Sequence, residues 1–268
     1  MEFLNSFFNS NLFNILPNFL VRKIRRIFKF YFVETSLKLL PKINYPSNLI
    51  KKDQEKLIKE FQENNFIVPY HSSNLIKLLP KLDLNTKNQI NFLDFGGGDI
   101  KNYIYLKKNY EKLHYFYHDQ EQHNAVMDEL KSIHHFQKFT VLKKLDDFRK
   151  YNFDFINLSS VIQYVSNYQF LINLLTSLSS KYIFFSATIF FQSSLPSSRE
   201  HIIVKQVNVH PQINYLYFFE MEYFKNLLSK KNYKLEFSRP NLADKKINFN
   251  NFSKRYKKIE YLDVLFVK

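Results

Sequence analysis

The chain has 268 residues, a formal net charge of +15, 45% hydrophobic residues and no cysteine. Without cysteine the protein has no disulfides, no thiolate nucleophile and no cysteine-ligated zinc or iron–sulfur centre. The hydrophobic share is high enough for a sizeable core, which excludes an intrinsically disordered chain and predicts one large α/β domain with a modest appendage.

The positive charge taken alone would favour a nucleic-acid partner, because basic surfaces attract phosphate. The composition argues otherwise, since Lys, Asn, Ile, Phe and Tyr are abundant, Gly occurs only 3 times and Trp is absent. AT-rich coding produces this bias whatever the protein binds, and most lysines are scattered along the chain. We therefore predict that the protein does not act on nucleic acid.

Residues 1–45 are predicted to form a basic amphipathic extension. Within residues 19–32 a helix would carry most basic side chains on one face and apolar side chains on the other, namely Leu20, Ile24, Ile27, Phe28 and Tyr31. Such a helix suits an anionic membrane surface. The interpretation we favour from the sequence is a helix packed on its own domain, with its basic side chains in water.

The same region contains no pattern typical of export or membrane insertion. The basic cluster follows the first apolar stretch, whereas a secretory signal peptide begins with its positive charges. No apolar run reaches the length that spans a bilayer. We expect a cytoplasmic protein, with any membrane contact peripheral and at the inner face.

Residues 46–89 are predicted to be a helical lead-in to the main domain. Pro41 and Pro46 interrupt the preceding pattern and indicate a linker. Residues 52–64 then have the pattern of a polar helix, and residues 71–79 that of a capped helix followed by proline.

From residue 90 onward, short apolar runs alternate with helical patterns. The runs predict five strands, at residues 90–94, 114–118, 139–142, 153–158 and 182–186. Strands that alternate with helices form a parallel sheet with helices on both faces. The alternation ends at a helix over residues 220–230, after which two strands at 233–237 and 261–267 have no helix between them. These two strands should therefore pair antiparallel.

All three glycines of the protein are consecutive, Gly96, Gly97 and Gly98, between the first predicted strand and its helix. Glycine permits a positive φ and lets a ligand approach the backbone closely. The junction of strand and helix is also where α/β sheets bind nucleotides. The alternative is a tight structural turn, but a turn rarely needs three glycines, so the pattern favours a nucleotide-cofactor site.

Acidic residues near the triplet indicate which nucleotide binds. Asp94 would repel a pyrophosphate, but it suits the cationic amino-acid end of S-adenosylmethionine. Asp119 follows the second strand, where a carboxylate can accept the ribose hydroxyls; Glu121 is the alternative. Asp146 lies in the loop after the third strand, with Asp147 as its alternative, and can accept the exocyclic amine of adenine.

Three stretches resemble a family of methyltransferases often met in bacterial surface-polysaccharide gene clusters. Residues 93–98 with Tyr103 are similar to its LDFGG…Y signature, residues 153–164 to its segment after the fourth strand, and residues 206–219 to its Q…P…Y…F ending. The resemblance covers about residues 65–240. It implies the class I methyltransferase fold for residues 90–268: a Rossmann-like, mostly parallel seven-stranded sheet that ends in an antiparallel hairpin, with S-adenosylmethionine as cofactor.

The resemblance also implies which residues face the methyl group, because the segment after the fourth strand does so in this fold. Ser159 and Ser160 are expected to contact the cofactor, and Gln163 and Tyr164 to contact the acceptor. Gln163 can hydrogen-bond a hydroxyl but cannot act as a base.

The expected general base lies after the fifth strand, in the region that commonly shapes the acceptor pocket. The candidates there are His210 and, as the alternative, His201. The remaining histidines have no metal-ligand spacing, so we predict no metal.

Two residues depart from the family pattern, since Ile100 and Ser160 stand where glycine is expected. Three functions therefore remain open. The first is an O-methyltransferase acting on a sugar or surface-glycan precursor. The second is a methyltransferase-like protein that has lost catalysis and serves as a binding partner. The third is an NAD-dependent sugar enzyme, against which Asp94 argues.

Overall fold

A computed structural model describes residues 2–10, 13, 15–28, 31–41, 47–63, 73–84, 87–178, 180–193, 199–207, 214–242, 248–252 and 255–268. The strands are β1 Phe32–Glu34, β2 Ile90–Phe95, β3 Leu113–His118, β4 Phe139–Val141, β5 Phe155–Ser159, β6 Tyr182–Ser193, β7 His201–Gln206, β8 Asn214–Glu220, β9 Lys234–Pro240 and β10 Tyr256–Val267. The helices are α1 Glu2–Asn9, α2 Asn18–Phe28, α3 Ser47–Gln62, α4 Ser73–Leu78, α5 Lys101–Asn109, α6 Glu121–Ile133, α7 Tyr168–Ser177 and α8 Met221–Ser229.

Seven of the strands form the predicted Rossmann-like arrangement. Their order is β4-β3-β2-β5-β6-β10-β9, and the first five are mutually parallel. The last strand, β10, lies between β6 and β9 and is antiparallel to both. The predicted antiparallel pairing of the two closing strands is therefore present, with the final strand inserted inside the sheet edge.

The predicted count of seven strands is wrong for the sheet as a whole, because β1, β7 and β8 extend it. The strand β6 continues to Ser193, and its outer half pairs with β8, which pairs with β7, which pairs with β1. Residues Phe32 and Gln206, partners in this extension, are far apart in sequence. Strands paired over such a distance are not joined by a short turn, so local sequence patterns do not predict their pairing.

Helices cover both faces of the sheet, as predicted. Side chains of α7 and α8 share one apolar core with Leu93 and Phe95 of β2. Side chains of α3 to α6 share a second core with Phe92, which points to the opposite face of the same strand. The alternation along β2 thus decides which helix layer each residue contacts.

The N-terminal segment packs against the extension of the sheet. Val21 of α2 contacts Val33 and Val207 in a small apolar cluster with α1. On the predicted apolar face of α2, Ile24 is half-buried against this cluster, whereas Leu20 and Ile27 are exposed. Within the described residues no helix is long and apolar enough to cross a membrane.

Candidate functional site

The glycine turn follows β2 at the carboxyl edge of the sheet. Gly96 has φ +67° and Gly98 has φ +58°, values that favour glycine. A Cβ on Gly96 would lie 2.3 Å from a methyl carbon of Val161, and a Cβ on Gly97 would lie 2.6 Å from the Tyr117 ring. At Gly98 the nearest atom would be 3.9 Å away, so this glycine borders open space. The accessible side of the turn is therefore at Gly98.

The backbone amides of this turn already donate to protein acceptors. The bonds are Gly96 N to His118 O at 2.7 Å, Gly97 N to His118 O at 3.4 Å, Gly98 N to Asp119 Oδ2 at 2.9 Å, Ile100 N to Gln54 Oε1 at 3.0 Å and Lys101 N to Asp99 Oδ1 at 2.9 Å. A dinucleotide site instead turns such amides toward a pyrophosphate. With these amides engaged and carboxylates beside them, the turn is poorly suited to pyrophosphate.

Asp94 lies beneath the turn and is fully buried. Its carboxylate accepts hydrogen bonds from Asn102 Nδ2 at 3.0 Å, from Asn157 Nδ2 at 2.7 Å and from the Tyr115 hydroxyl. Burial raises the pKa of Asp94, because the charged form loses its hydration, and the three hydrogen bonds act in the opposite direction. The carboxylate supports the turn from below, 3.3 Å from where a Cβ on Gly97 would lie.

Asp119 is the acid that touches the glycine turn. It follows β3, accepts the bond from Gly98 N and lies 3.4 Å from the Tyr117 hydroxyl. Its side chain is 13% exposed, so one edge remains open to solvent. The alternative residue, Glu121, begins α6 and is exposed. The geometry therefore favours Asp119 over Glu121 as the acidic residue that can contact a molecule bound at the turn.

The two acidic residues of the loop after β4 also differ in their hydrogen bonds and exposure. Asp147 accepts Lys144 N at 3.1 Å and Lys150 Nζ at 2.6 Å, and the hydrogen bond from Lys150 lowers the pKa of Asp147. Asp147 thus holds the short 3-10 helix Leu145–Lys150 together. Asp146 is exposed and is the acid of this pair that faces solvent.

The segment after β5 begins with strained backbone. Ser159 pairs with Ser186 of β6, and Ser160 follows with φ +54°, in the left-handed region. A non-glycine residue there costs about 1 kcal/mol, which gives a physical reason for glycine at this position in the resembling family. Ser160 N donates to Ser186 O at 2.8 Å, so the strain is held by the sheet.

Gln163 lies inside the protein and is fully buried. Its amide nitrogen donates to Ser160 Oγ at 3.3 Å and to Ala187 O at 3.1 Å, so this group is committed to the turn. Its Oε1 is buried without a partner among the described residues. Tyr164, the next predicted acceptor contact, donates its hydroxyl to Gln206 Oε1 at 3.1 Å.

Ile100 is fully buried at the start of α5 and packs among the helices. Its side chain belongs to the core, so isoleucine at the position of a third glycine is accommodated away from the open side of the turn. Its backbone amide donates to Gln54 Oε1.

Two buried residues of the site were missed by sequence reasoning. Gln54 of α3 accepts from Ile100 N and donates to Gly98 O at 3.0 Å, so it bridges the turn. No local pattern links a lead-in helix to a turn 44 residues away.

Asp263 of β10 is the second missed residue. It is fully buried and accepts from Ala187 N at 2.7 Å, Ser186 Oγ at 2.9 Å and Asn74 Nδ2 at 2.7 Å. Burial raises the pKa of Asp263, because its charged form loses hydration, and the hydrogen bonds act in the opposite direction. A lone acid within the apolar run of the last strand was the signal that could have revealed it.

The structure does not bring His201 to the end of β5. His201 pairs with Phe219, and Phe219 pairs with Phe190, four residues beyond Ser186 on β6 and about 13 Å along the strand. His201 Nδ1 lies 3.1 Å from the Tyr168 hydroxyl, and burial lowers the pKa of His201. His210 lies outside the described residues.

Comparisons with known proteins place the fold. No family model matches the sequence, and no curated protein matches it. Among solved structures, the O-methyltransferase of a trans-AT PKS multienzyme of Brevibacillus brevis, in complex with S-adenosyl-L-homocysteine, is 13% identical with a TM-score of 0.52. The match covers 88% of this chain and 85% of that one.

Two further structures are similar at lower scores. A SAM-dependent methyltransferase from Aquifex aeolicus is 14% identical over 84% of this chain and 98% of its own, with a TM-score of 0.49. The 1,6-didemethyltoxoflavin-N1-methyltransferase of Burkholderia thailandensis is 10% identical over 88% and 94%, also with a TM-score of 0.49.

The sheet order and the Brevibacillus brevis structure together define the fold of this chain. It is the Rossmann-like fold of class I S-adenosylmethionine-dependent methyltransferases. The narrower family suggested by the sequence motifs has no matching family model and stays a prediction.

Proposed function

We propose that the protein is an S-adenosylmethionine-dependent methyltransferase that methylates a hydroxyl of a sugar or surface-glycan precursor. The observation that carries the cofactor assignment is the glycine turn, whose amides are occupied and whose open side is flanked by Asp119. That arrangement disfavours a pyrophosphate and suits a nucleoside with a cationic amino-acid end.

The residues at this edge fit such a cofactor. Asp119 would accept the ribose hydroxyls, since its side chain lies at the turn and remains partly open. The exposed Asp146 would accept the adenine amine. Gly98 lets the nucleoside approach the backbone, and Asp94 supports the turn from below. Ser159 and Ser160 would border the end of the cofactor nearest β5.

The cofactor supplies an electrophilic methyl group, so the protein needs mainly to orient the acceptor and remove its proton. With the cofactor bound, the acceptor oxygen would take the methyl group as the sulfonium C–S bond breaks to leave S-adenosylhomocysteine, and a base of this chain would accept the hydroxyl proton. We keep His210 as the proposed base, because His201 lies about 13 Å along the sheet from the end of β5. Tyr164 would contact the acceptor, and Gln163 would hold Ser160 in its strained conformation.

The hydroxyl acceptor is proposed from the sequence motifs alone. A panel of sugar nucleotides and glycan precursors, incubated with cofactor labelled in its methyl group, tests it directly. We expect label in one class of acceptor, and we expect His210→Ala to abolish transfer while S-adenosylhomocysteine still binds. Labelling of protein or nucleic acid instead of any glycan precursor would contradict the acceptor assignment.

A cofactor-binding protein without turnover is the second candidate. It is favoured by Gln163, whose amide nitrogen is used inside the protein, and by the side chain of Val161 against Gly96. Binding of S-adenosylhomocysteine without methyl transfer to any acceptor in the panel would support this candidate over the first.

A further inference from the structure

The outer surface of the N-terminal region carries an unusual share of the exposed apolar side chains. Of the eight large hydrophobic residues that are exposed in the described part of the chain, six precede residue 40. The most exposed around α2 are Ile15 at 77%, Ile27 at 73% and Phe19 at 61%. Single exposed apolar residues are ordinary, whereas a concentration in one short region indicates a contact surface.

This exposure does not arise from a loosely attached helix. Val21, on the inner side of α2, is 1% exposed and packs with Phe8, Val33 and Val207. The buried Lys205 of β7 donates to Phe8 O at 2.8 Å and so ties α1 to the sheet. Because the inner side is fixed, Phe19 and Ile27 are held facing away from the protein.

The charge of the same segment selects the partner. Residues 3–33 contain no acidic residue and five basic ones, Arg22, Lys23, Arg25, Arg26 and Lys29. Lys23 is exposed on the helix between Phe19 and Ile27. An exposed apolar strip within a purely basic segment matches an anionic lipid surface, which takes the apolar side chains below its headgroups and attracts the cations.

We propose that α2 docks the protein on a membrane surface containing anionic phospholipid, with Phe19 and Ile27 as the inserted side chains. The docking is independent of the proposed methyl transfer. Docking would, however, place the proposed acceptor site near the membrane. The strand β1 follows α2, and its Phe32 pairs with Gln206 of β7. Gln206 in turn accepts a hydrogen bond from the Tyr164 hydroxyl. A lipid-linked acceptor would thus meet the site close to the docked helix.

Sedimentation of the full-length protein with vesicles tests the docking. Vesicles of phosphatidylcholine alone are compared with vesicles that also contain phosphatidylglycerol. We expect binding to the second kind only, weakened by added salt. The double variant Phe19→Ser/Ile27→Ser should lose at least about tenfold in vesicle affinity, because two side chains no longer leave water.

A matched control uses apolar residues of similar exposure elsewhere. Phe170 is 54% exposed on α7 and Ile133 is 53% exposed on α6, so Phe170→Ser/Ile133→Ser should bind vesicles as the unchanged protein does. Thermal unfolding of both double variants checks that each remains folded.

Four outcomes would overturn the proposal. The first is that the unchanged protein ignores anionic vesicles. The second is that both double variants bind equally well. The third is that the Phe19/Ile27 variant changes only the self-association of the protein in sedimentation velocity, since α2 would then contact a second copy of the chain.

The fourth outcome is that the protein binds nucleic acid and not vesicles, with both double variants binding nucleic acid as the unchanged protein does. The basic segment would then be assigned to phosphate binding. None of these outcomes affects cofactor binding, so failure here is distinguishable from failure of the proposed function.

Discussion

The two sides of the site are built from contacts of different sequence range. On the cofactor side, Gly98 N and Asp119 are 21 residues apart and belong to one strand–helix–strand unit. On the side of the proposed acceptor contacts Gln163 and Tyr164, Ala187 and Asp263 are 76 residues apart, and the Tyr164 hydroxyl donates to Gln206 across 42 residues. Residues that make short-range contacts lie in one recognisable sequence motif. Residues that make long-range contacts are visible in the sequence only as isolated polar residues within apolar strands. The glycine turn and Asp119 can therefore be recognised from sequence, whereas the long-range contacts around the two proposed sides of the site cannot.

The largest effect should come from filling the glycine turn. In Gly97→Val the new side chain would overlap the Tyr117 ring and approach Asp94, so the turn has to move. We expect S-adenosylhomocysteine affinity to fall by at least about a hundredfold, measured by calorimetry. Gly98→Ala is a second test, because its Cβ meets no protein atom nearer than 3.9 Å and would crowd the bound nucleoside without displacing the turn, at a cost in unfolding free energy of about 1 kcal/mol of backbone strain. Equal cofactor binding by Gly97→Val and the unchanged protein would contradict the role of the turn.

The second largest effect should distinguish the two acidic residues proposed to bind the ribose, Asp119 and Glu121. Asp119→Asn removes a carboxylate that touches the turn, and we expect cofactor affinity to fall about 10- to 100-fold, as for lost hydrogen bonds to a charged group. Glu121→Gln changes an exposed acid two positions away and should leave affinity unchanged. A larger loss in Glu121→Gln than in Asp119→Asn would reverse the assignment.

A smaller effect should follow from releasing the turn from the lead-in helix. Gln54→Ala leaves the buried Ile100 amide without its acceptor, which costs about 1–3 kcal/mol of unfolding free energy. The looser turn should bind S-adenosylhomocysteine about fivefold more weakly, a change of about 1 kcal/mol. Urea unfolding and calorimetry measure the two quantities, and Glu55→Ala on the exposed side of α3 serves as control. Unchanged stability in Gln54→Ala would show that the bridge does not hold the turn.

The smallest effect concerns the acceptor side and depends on pH. Burial raises the pKa of Asp263 in the folded state, so between the unfolded and folded pKa values the folded protein binds more protons than the unfolded chain. The free energy of unfolding from this group therefore increases as the pH falls through that window, by at most about 1.4 kcal/mol per pH unit.

Asp263→Asn should lose this pH dependence. The difference in unfolding free energy between the unchanged protein and the variant should thus grow as the pH is lowered, in urea unfolding from neutral to mildly acidic pH. Asp83→Asn, at a side chain that is 66% exposed, should leave the dependence as it is. A parallel pH dependence for Asp263→Asn and the unchanged protein would show that Asp263 does not titrate as burial predicts.

The same difference in range explains what the sequence could predict. The strands β2 to β6 and the helices between them follow from alternating apolar runs, and the glycine triplet marks the turn. The local environment of Asp94 could not be predicted, because Asn102, Tyr115 and Asn157 enclose it only after three elements pack together. The strained φ of Ser160 is likewise set by its bond to Ser186 on a neighbouring strand.

Calorimetric titration of the full-length protein with S-adenosylhomocysteine, run beside NAD, tests the central claim most directly. We predict one binding site per chain with a Kd of about 0.1 mM or tighter for S-adenosylhomocysteine, and no measurable heat with NAD. No binding of S-adenosylhomocysteine at millimolar concentration, or tighter binding of NAD, would contradict the claim that the glycine turn and Asp119 form a site for a sulfur-containing nucleoside.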